Sequence, residues 1–163
     1  MIDRNDKINN ILNNKIFLNY LKKNKKFDKK SEFCNHNLEH FINVARIAYI
    51  INLEKSLGFK KEVIYGAALL HDIGKWTKNI SKEPHSQVSA RLALEILEAS
   101  GYEEADIFII ISAIKGHSTK AEDDDGLNYL LYYSDKKSRN CFSCKASNHC
   151  NWDETKKNHE IVY

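Results

Sequence analysis

Apolar residues recur along this chain every three or four positions, which is the spacing of amphipathic helices. Stretches of alternating apolar and polar residues long enough for a β-strand are absent from the sequence. The pattern predicts about six helical segments, and the fold class is therefore predicted to be all-α, a compact multi-helix bundle. The segments are expected near residues 8–21, 38–57, 61–72, 85–101, 103–115 and 127–139.

Two of these segments differ in character from the rest. The first is amphipathic and fades into a run of lysines, so residues 1–35 are predicted to form one N-terminal helix followed by a basic segment. The second is apolar almost all round between residues 41 and 51, interrupted only by Asn43 and Arg46. We therefore expect the second segment to be the central buried helix.

Composition limits the classes of protein that the chain can represent. With 163 residues, 42% of them hydrophobic, and a single proline, the sequence is typical of one compact helical domain. Its apolar runs, such as residues 107–111, are far shorter than the roughly 20 residues that a membrane span requires. Residues 1–6 have no apolar core typical of a secretory signal, so a cytoplasmic location is predicted.

Charge is distributed unevenly but is small overall. The formal net charge of +3 argues against a nucleic-acid-binding face and suits a small phosphorylated substrate better. Six lysines crowd residues 22–30, where they form either a solvated helix end or a patch that attracts polyanions. An acidic run at residues 122–125 is predicted to be a solvated loop.

An adjacent histidine and aspartate, His71 and Asp72, end the apolar run of residues 66–70. Side chains of neighbouring helical residues point about 100° apart, so the two can bind one ion only near a helix end, where Asp72 keeps a second oxygen free. Such a carboxylate can bridge two metal ions. Alternatively, the two residues form a buried pair that caps a helix.

Other ligand-type residues occupy the same kind of position, at or near the end of an apolar stripe that faces the core. Each buried imidazole or carboxylate would need a polar partner, at a cost of about 1–3 kcal/mol if none is present. A shared metal centre provides partners for all of them, which favours convergence over separate core histidines. These residues are His40, His71, His85, His117 and Asp135, with His36 one turn before His40.

The order of these residues resembles the HD superfamily of metal-dependent phosphohydrolases. His40 precedes the His71-Asp72 pair, which precedes Asp135, while His85 and His117 resemble the additional ligands of the binuclear branch. The sequence around residues 84–90 and 116–119 is most similar to bacterial HD hydrolases of the diadenosine tetraphosphate hydrolase type. The similarity spans about residues 38–139 and implies an HD-domain helical bundle.

The resemblance implies a ligand for each position and a reaction. His40, His71, Asp72 and Asp135 would hold one divalent ion such as iron or manganese. Asp72, His85 and His117 would hold a second ion. A metal-bound hydroxide would then cleave a phosphomonoester, phosphodiester or phosphoanhydride of a nucleotide-like substrate.

Three further residues are candidates for the catalytic site beside Asp72. Lys75 lies four residues beyond His71 and Arg139 four beyond Asp135, so both are predicted phosphate contacts, although either can instead be a solvent-exposed cation. His36 is the third candidate. It can be a further metal ligand, a phosphate-binding imidazole or a partner of one of the ligands, and the spacing does not choose among these roles.

Two functions from other classes remain open. HD-fold di-iron oxygenases use the same ligand types, so ligand order does not exclude an oxidation. A regulatory HD domain that binds a nucleotide or a protein without turnover is the other alternative, although such a domain has no need of the full ligand set.

The four cysteines form a second predicted site. Cys141, Cys144 and Cys150 lie in a C-terminal extension, residues 141–163, that is expected to pack on the HD-type domain of residues 1–140. The Cys-x2-Cys spacing is typical of a zinc knuckle, and Cys34 can complete a tetrathiolate site. Structural zinc is predicted, with an iron–sulfur cluster, replacement of one thiolate by His149, or free thiols as alternatives.

Overall fold

A computed structural model describes residues 6–120 and 126–161. Within these ranges the regular secondary structure is helical, which confirms the all-α prediction. The predicted acidic loop at residues 122–125 lies outside the described part of the chain. The α-helices in these ranges are α1 (Lys7–Asn13), α2 (Lys15–Asp28), α3 (Leu38–Glu54), α4 (Lys61–Leu70), α5 (His85–Ala99), α6 (Glu104–Gly116) and α7 (Leu127–Lys137), with short 3-10 turns at Lys75–Thr77, Cys141–Ser143 and Ser147–His149.

The predicted single N-terminal helix is instead two helices, and the basic segment belongs to the second. Asn14 ends α1 in an extended conformation, and its side chain accepts hydrogen bonds from the backbone N–H groups of Ile16 and Phe17 at 2.8 and 3.2 Å. An N-cap of this kind begins a new helix. The new helix continues through the lysines to Asp28 because lysine has a high helix propensity.

The central helix is α4 rather than α3, so that prediction was wrong. Seven of the ten residues of α4 are buried, against seven of the seventeen of α3. α4 packs against α1, α3, α5, α6 and α7, whereas the outer face of α3 carries the exposed Arg46 and Ile50. Although α4 is enclosed in this way, neither it nor any other helix in the described ranges is long and apolar enough to cross a bilayer.

The C-terminal residues 141–161 pack near the end of α7 with little apolar contact. Only Ala146 and Asn158 are buried among them. Asn158 Nδ2 donates hydrogen bonds to the carbonyl oxygens of Lys136 and Arg139, both at 2.8 Å. The path of this segment is therefore set mainly by polar contacts.

Candidate metal centre

Helix ends carry most of the predicted ligand residues. His71 caps the C-terminus of α4 and His117 that of α6, whereas His85 is the first residue of α5. His40 lies in the first turn of α3 and Asp135 in the last turn of α7. Side chains at helix ends can approach one another without disrupting the packed core between the helices, and these side chains converge.

The carboxylate of Asp72 lies between two sets of histidines. Its Oδ1 atom is 3.1 Å from His85 Nε2 and 3.4 Å from His117 Nε2. Its Oδ2 atom is 3.5 Å from His71 Nε2. The two oxygens of one side chain thus face different donor atoms, as a bridging carboxylate requires.

A second carboxylate lies on the His71 side of Asp72. Asp135 Oδ1 is 3.1 Å from His40 Nε2 and 3.7 Å from His71 Nε2. Two groups of three donors are each compact enough to hold a metal ion, with all ligand atoms of a group within 4.8 Å of one another, and both groups include Asp72. The groups are His40, His71 and Asp72, and Asp72, His85 and His117.

The hydrogen bonds of the ring Nδ1 atoms set the tautomers of three histidines. His71 Nδ1 is 2.7 Å from the carbonyl oxygen of Ala68, and His117 Nδ1 is 2.6 Å from that of Ile114. Because a carbonyl oxygen only accepts, each Nδ1 carries a proton, so in the neutral ring each Nε2 presents a lone pair to the centre.

His40 reaches the same tautomer through a hydroxyl group. Ser138 Oγ donates to the carbonyl oxygen of Asp135 at 2.8 Å, so at its 3.2 Å contact with His40 Nδ1 it must accept. Nδ1 of His40 therefore carries the proton and its Nε2 carries the lone pair. Histidines that ligate metals are usually oriented by such partners of the other ring nitrogen.

Three atoms of the centre are buried and have no hydrogen-bond partner among the described residues: His71 Nε2, Asp72 Oδ1 and Asp135 Oδ1. An unsatisfied buried polar atom costs about 1–3 kcal/mol, and more when it is charged. Divalent cations would satisfy these atoms, and imidazole nitrogens with carboxylate oxygens suit zinc, iron or manganese. The residues present therefore fit the metal ions that the sequence implies.

The pKa values of the centre are consistent with a binding site for cations. Burial lowers the pKa of His40 to about 4, which leaves the ring neutral and able to ligate. Burial alone would raise the pKa of Asp72 and of Asp135, but the neighbouring histidines and lysines hold both well below the usual value. Burial likewise opposes protonation of His71, yet the adjacent carboxylates raise its pKa. Both carboxylates are therefore ionised at neutral pH.

His36 lies beside the centre and is held by a residue that the sequence did not single out. Its Nδ1 is 3.1 Å from Asp28 Oδ1, and its backbone N–H donates to Asp28 Oδ2 at 2.6 Å. Its Nε2 is 3.7 Å from Asp72 Oδ2. The Asp28 carboxylate thus orients the His36 ring so that its Nε2 atom faces Asp72.

Asn24 is a second residue that sequence reasoning missed. Its buried side chain donates to the carbonyl oxygen of Asp72 at 2.8 Å and accepts from the N–H of Trp76 at 3.0 Å, so α2 holds the segment that follows α4. A signal was present, since Asn24 and Asp28 are four residues apart within the lysine run and thus share a helix face.

Gly74 allows the same segment to lie close to α5. A Cβ atom at this position would come within 2.9 Å of the backbone nitrogen of Ser89, and the Gly74 N–H donates to Ser89 Oγ at 3.0 Å. A side chain here would therefore push α5 and its first residue, His85, away from Asp72.

The two predicted phosphate contacts both lie at the centre. Lys75 Nζ is 3.7 Å from Asp72 Oδ2 and 3.4 Å from His85 Nε2. Arg139 donates from Nη1 to the carbonyl oxygen of Asn35 at 2.7 Å, and its Nη2 is 3.0 Å from His40 Nε2. The side chains are 17% and 12% exposed, so neither is an ordinary solvent-exposed cation.

A large open cavity leads to the centre. It has a volume of about 1050 Å³, and His36, Asp72 and Asp135 are among its lining residues. Trp76 and Trp152 contribute aromatic surface to its walls. The cavity is also lined by seven basic side chains, which are Lys23, Lys26, Lys30, Lys75, Lys78, Lys136 and Arg139.

All four cysteines line a second cavity of about 310 Å³, which Arg139 and His40 also line. It adjoins the large cavity, because Cys34, Cys150 and Arg139 line both. All four cysteines carry free thiols; Cys34 and Cys144 are exposed and the other two partly exposed. Partial desolvation raises the pKa of the Cys34 thiol although the residue is exposed, Arg139 opposes this, and the other three cysteines raise it further. His149 does not line this cavity; its Nε2 lies 3.2 Å from Glu32 Oε2.

Comparison with known proteins identifies the same part of the chain. Residues 37–148, more than half of the sequence, match the HD domain family. The chain is also 49% identical over 158 residues to an uncharacterized protein of Clostridium beijerinckii, a match that covers 97% of this chain and 99% of that protein. No solved structure gives a significant match.

Proposed function

The chain belongs to the HD domain family, whose members are generally metal-dependent hydrolases, and on that premise we propose that it is a phosphohydrolase with a binuclear metal centre. The observation that carries this proposal is the position of Asp72. One of its carboxylate oxygens faces His85 and His117 while the other faces His71, which is the arrangement expected of a ligand shared by two ions.

The proposed ligands fall into two sets. Asp72 and the histidines would hold the ions through their unprotonated Nε2 and carboxylate oxygen atoms, and Asp135 would join the set that includes His40. When bound, two divalent ions supply an activated water and positive charge for the phosphoryl oxygens of the substrate. The ligands are His40, His71, Asp72 and Asp135 for one ion, and Asp72, His85 and His117 for the other.

Three side chains around these ligands are proposed to bind the phosphoryl group. Lys75 and Arg139 carry fixed positive charge within 4 Å of the ligand carboxylates, where they would orient and neutralise the phosphoryl oxygens. His36 Nε2, held by Asp28 on the other ring nitrogen, would donate a hydrogen bond to the substrate when protonated. All three line the cavity that contains Asp72. With metal bound, Arg139 and Lys75 would turn from His40 Nε2 and His85 Nε2 toward the phosphoryl group.

The cavity supports a nucleotide-like substrate. Its basic side chains suit several phosphate groups, and its tryptophans suit a base. Trp76 stacks against Tyr20 at a ring-centroid distance of 6.5 Å, and Lys23 Nζ lies 4.2 Å from the Trp76 ring centroid. An aromatic ring held beside a cation in this way can contact both parts of a nucleotide. The class of phosphate bond that is cleaved follows from the substrate and not from this geometry.

The test is product release under anaerobic conditions. The metal-free protein is loaded with Mn²⁺ or Fe²⁺ and incubated with nucleoside phosphates, dinucleoside polyphosphates and cyclic dinucleotides, and the products are separated by chromatography. We expect hydrolysis that requires the metal, proceeds without oxygen and stops when a chelator is added. Turnover that appears only in a parallel aerobic incubation, and consumes oxygen, would assign the protein to the oxygenases. Tight nucleotide binding without turnover under every metal would assign it to the regulatory domains.

A further inference from the structure

We propose that Cys34, Cys141, Cys144 and Cys150 bind one structural zinc ion, separate from the His/Asp centre. The first observation is their position. These four thiols come from two parts of the chain more than a hundred residues apart, yet all line one cavity of about 310 Å³. Among these described residues no three sulfur atoms lie within 4.8 Å of one another, so these exposed and half-exposed side chains would turn inward to bind one ion. Four cysteines are the complete ligand set of a closed tetrahedral zinc site.

The second observation is the lack of a core beneath the cysteines. Of residues 141–161, only Ala146 and Asn158 are buried, so the segment gains little from apolar burial. It nevertheless follows a defined path of two 3-10 turns, in which the N–H of Cys144 donates to the carbonyl oxygen of Cys141 at 3.2 Å. Small segments of this kind usually depend on a metal or a disulfide, and these thiols are free.

The third observation is the charge around the thiols. A zinc ion with four thiolates carries a net negative charge, which needs cationic neighbours when it is partly buried. Arg139 and Lys157 line the same cavity. Lys157 Nζ donates to the carbonyl oxygen of Ser147 at 2.8 Å, which holds this cation within residues 141–161, the cysteine segment. These two cations would offset part of the negative charge of a tetrathiolate zinc ion.

The zinc ion would also position Arg139. Cys34 directly precedes Asn35, whose carbonyl oxygen accepts from Arg139 Nη1 at 2.7 Å, and Cys141 follows two residues after Arg139. A metal that links Cys34 to Cys141 would therefore hold both sides of this contact, with Arg139 against His40. Because the zinc would act on Arg139 through the backbone and through the charge of its thiolates, it is a positioning element and takes no part in the reaction.

The test begins with metal content, measured by mass spectrometry on full-length protein produced in zinc-containing medium. An Asp72→Ala background weakens the His/Asp centre, and any ion that stays in it would have only nitrogen and oxygen ligands. We therefore expect one zinc per chain at the cysteines, identified by four sulfur ligands at about 2.3 Å in X-ray absorption. Cobalt substitution should give the intense thiolate charge-transfer absorption that histidine and carboxylate ligands cannot produce. An iron–sulfur chromophore, or four reactive thiols with no metal, would overturn the proposal.

Variants of Cys144 separate a ligand from a merely structural thiol. Cys144→Ser should lose the zinc and lower the melting temperature, whereas Cys144→His should keep the zinc, because histidine is also a zinc ligand. Ser143→Ala, next to it in the same exposed turn, is the matched control and should change neither. Zinc retained at wild-type stoichiometry in Cys144→Ser would contradict the assignment, whatever the hydrolase assay shows, so the two proposals can fail independently.

Discussion

The His/Asp centre and the cysteine segment hold their ligand residues in opposite ways. In the His/Asp centre the imidazoles lie at the ends of packed helices, and Ala68, Ile114 and Ser138 fix their orientation. In the cysteine segment the thiols lie on short turns that are exposed or half-buried. Packed helices therefore hold the ligands of the His/Asp centre in place, whereas few packing contacts hold the thiols of the cysteine segment.

This difference sets what each metal does. An ion in the His/Asp centre would enter a preformed site and satisfy atoms that the core already leaves without partners, namely His71 Nε2, Asp72 Oδ1 and Asp135 Oδ1. The binding energy of the ion in the His/Asp centre is not needed for folding and can contribute to catalysis. An ion among the cysteines would instead supply the order of residues 141–161, so its binding energy would be folding energy. Removing the ion of the His/Asp centre should therefore abolish function without loss of structure. Removing the ion at the cysteines should lower stability and affect function only through the position of Arg139.

The largest expected effect is that of Asp72→Ala. Removing the shared ligand should reduce hydrolysis below detection, while the helical circular dichroism spectrum stays that of the wild type. The fold should survive because the Asp72 carbonyl still accepts from Asn24 and because α4 keeps its packing against its neighbouring helices.

A matched control exists in Asp106→Asn. Asp106 is as buried as Asp72 but pairs with Lys60 at 2.9 Å, on α6 and away from the centre. This substitution should lower stability without abolishing turnover. Zinc content at the cysteines should be the same in both variants, and wild-type activity in Asp72→Ala would end the binuclear mechanism.

A smaller effect is expected for Lys75→Ala, which tests whether a residue of the His/Asp centre can act on the substrate without holding a metal. A charge-assisted hydrogen bond contributes about 1.5–3 kcal/mol, so turnover should fall by about one to two powers of ten. Metal content should not change, since Lys75 offers no ligand to a cation while it is protonated. Lys82→Ala, an exposed lysine nearby in sequence, serves as the control. If Lys75→Ala loses metal, Lys75 supports the metal ligands and does not act on the substrate alone.

The sequence predicted the helices well because helix spacing depends on residues close together in the chain. It did not predict the break at Asn14, where one side chain that bonds to two backbone N–H groups outweighs a continuous apolar stripe. It also misplaced the central helix, since the apolar run of α3 says nothing about how many neighbours surround it. α4 has more neighbours although it is shorter.

The same limit applies to the site. The donor residues were visible as polar ends of apolar stripes, and the structure brings these side chains together. Asp28 and Asn24 were not identified, because their partners lie elsewhere in the chain, and one of those partners is a backbone carbonyl group. The supporting hydrogen bonds of a site depend on tertiary contacts and carry little pattern of their own in one sequence.

The smallest effect is expected for Ser138→Ala, at the boundary of the two regions. Ser138 accepts from His40 Nδ1 and precedes Arg139, whose carbonyl oxygen accepts from Asn158 of the C-terminal segment. When Ser138 lacks its hydroxyl group, His40 loses the partner that fixes its tautomer. The affinity for the metal ion that His40 binds should then fall about tenfold, the lower end of what such partners contribute. Competition with a metal chelator measures this affinity.

Ser134→Ala is the control, since Ser134 is buried in the same helix and its hydroxyl group has no hydrogen-bond partner among the described residues. We expect Ser134→Ala to bind metal as the wild type does, and zinc at the cysteines to be retained in both variants. Equal metal affinities in Ser138→Ala and Ser134→Ala would show that helix packing alone orients His40.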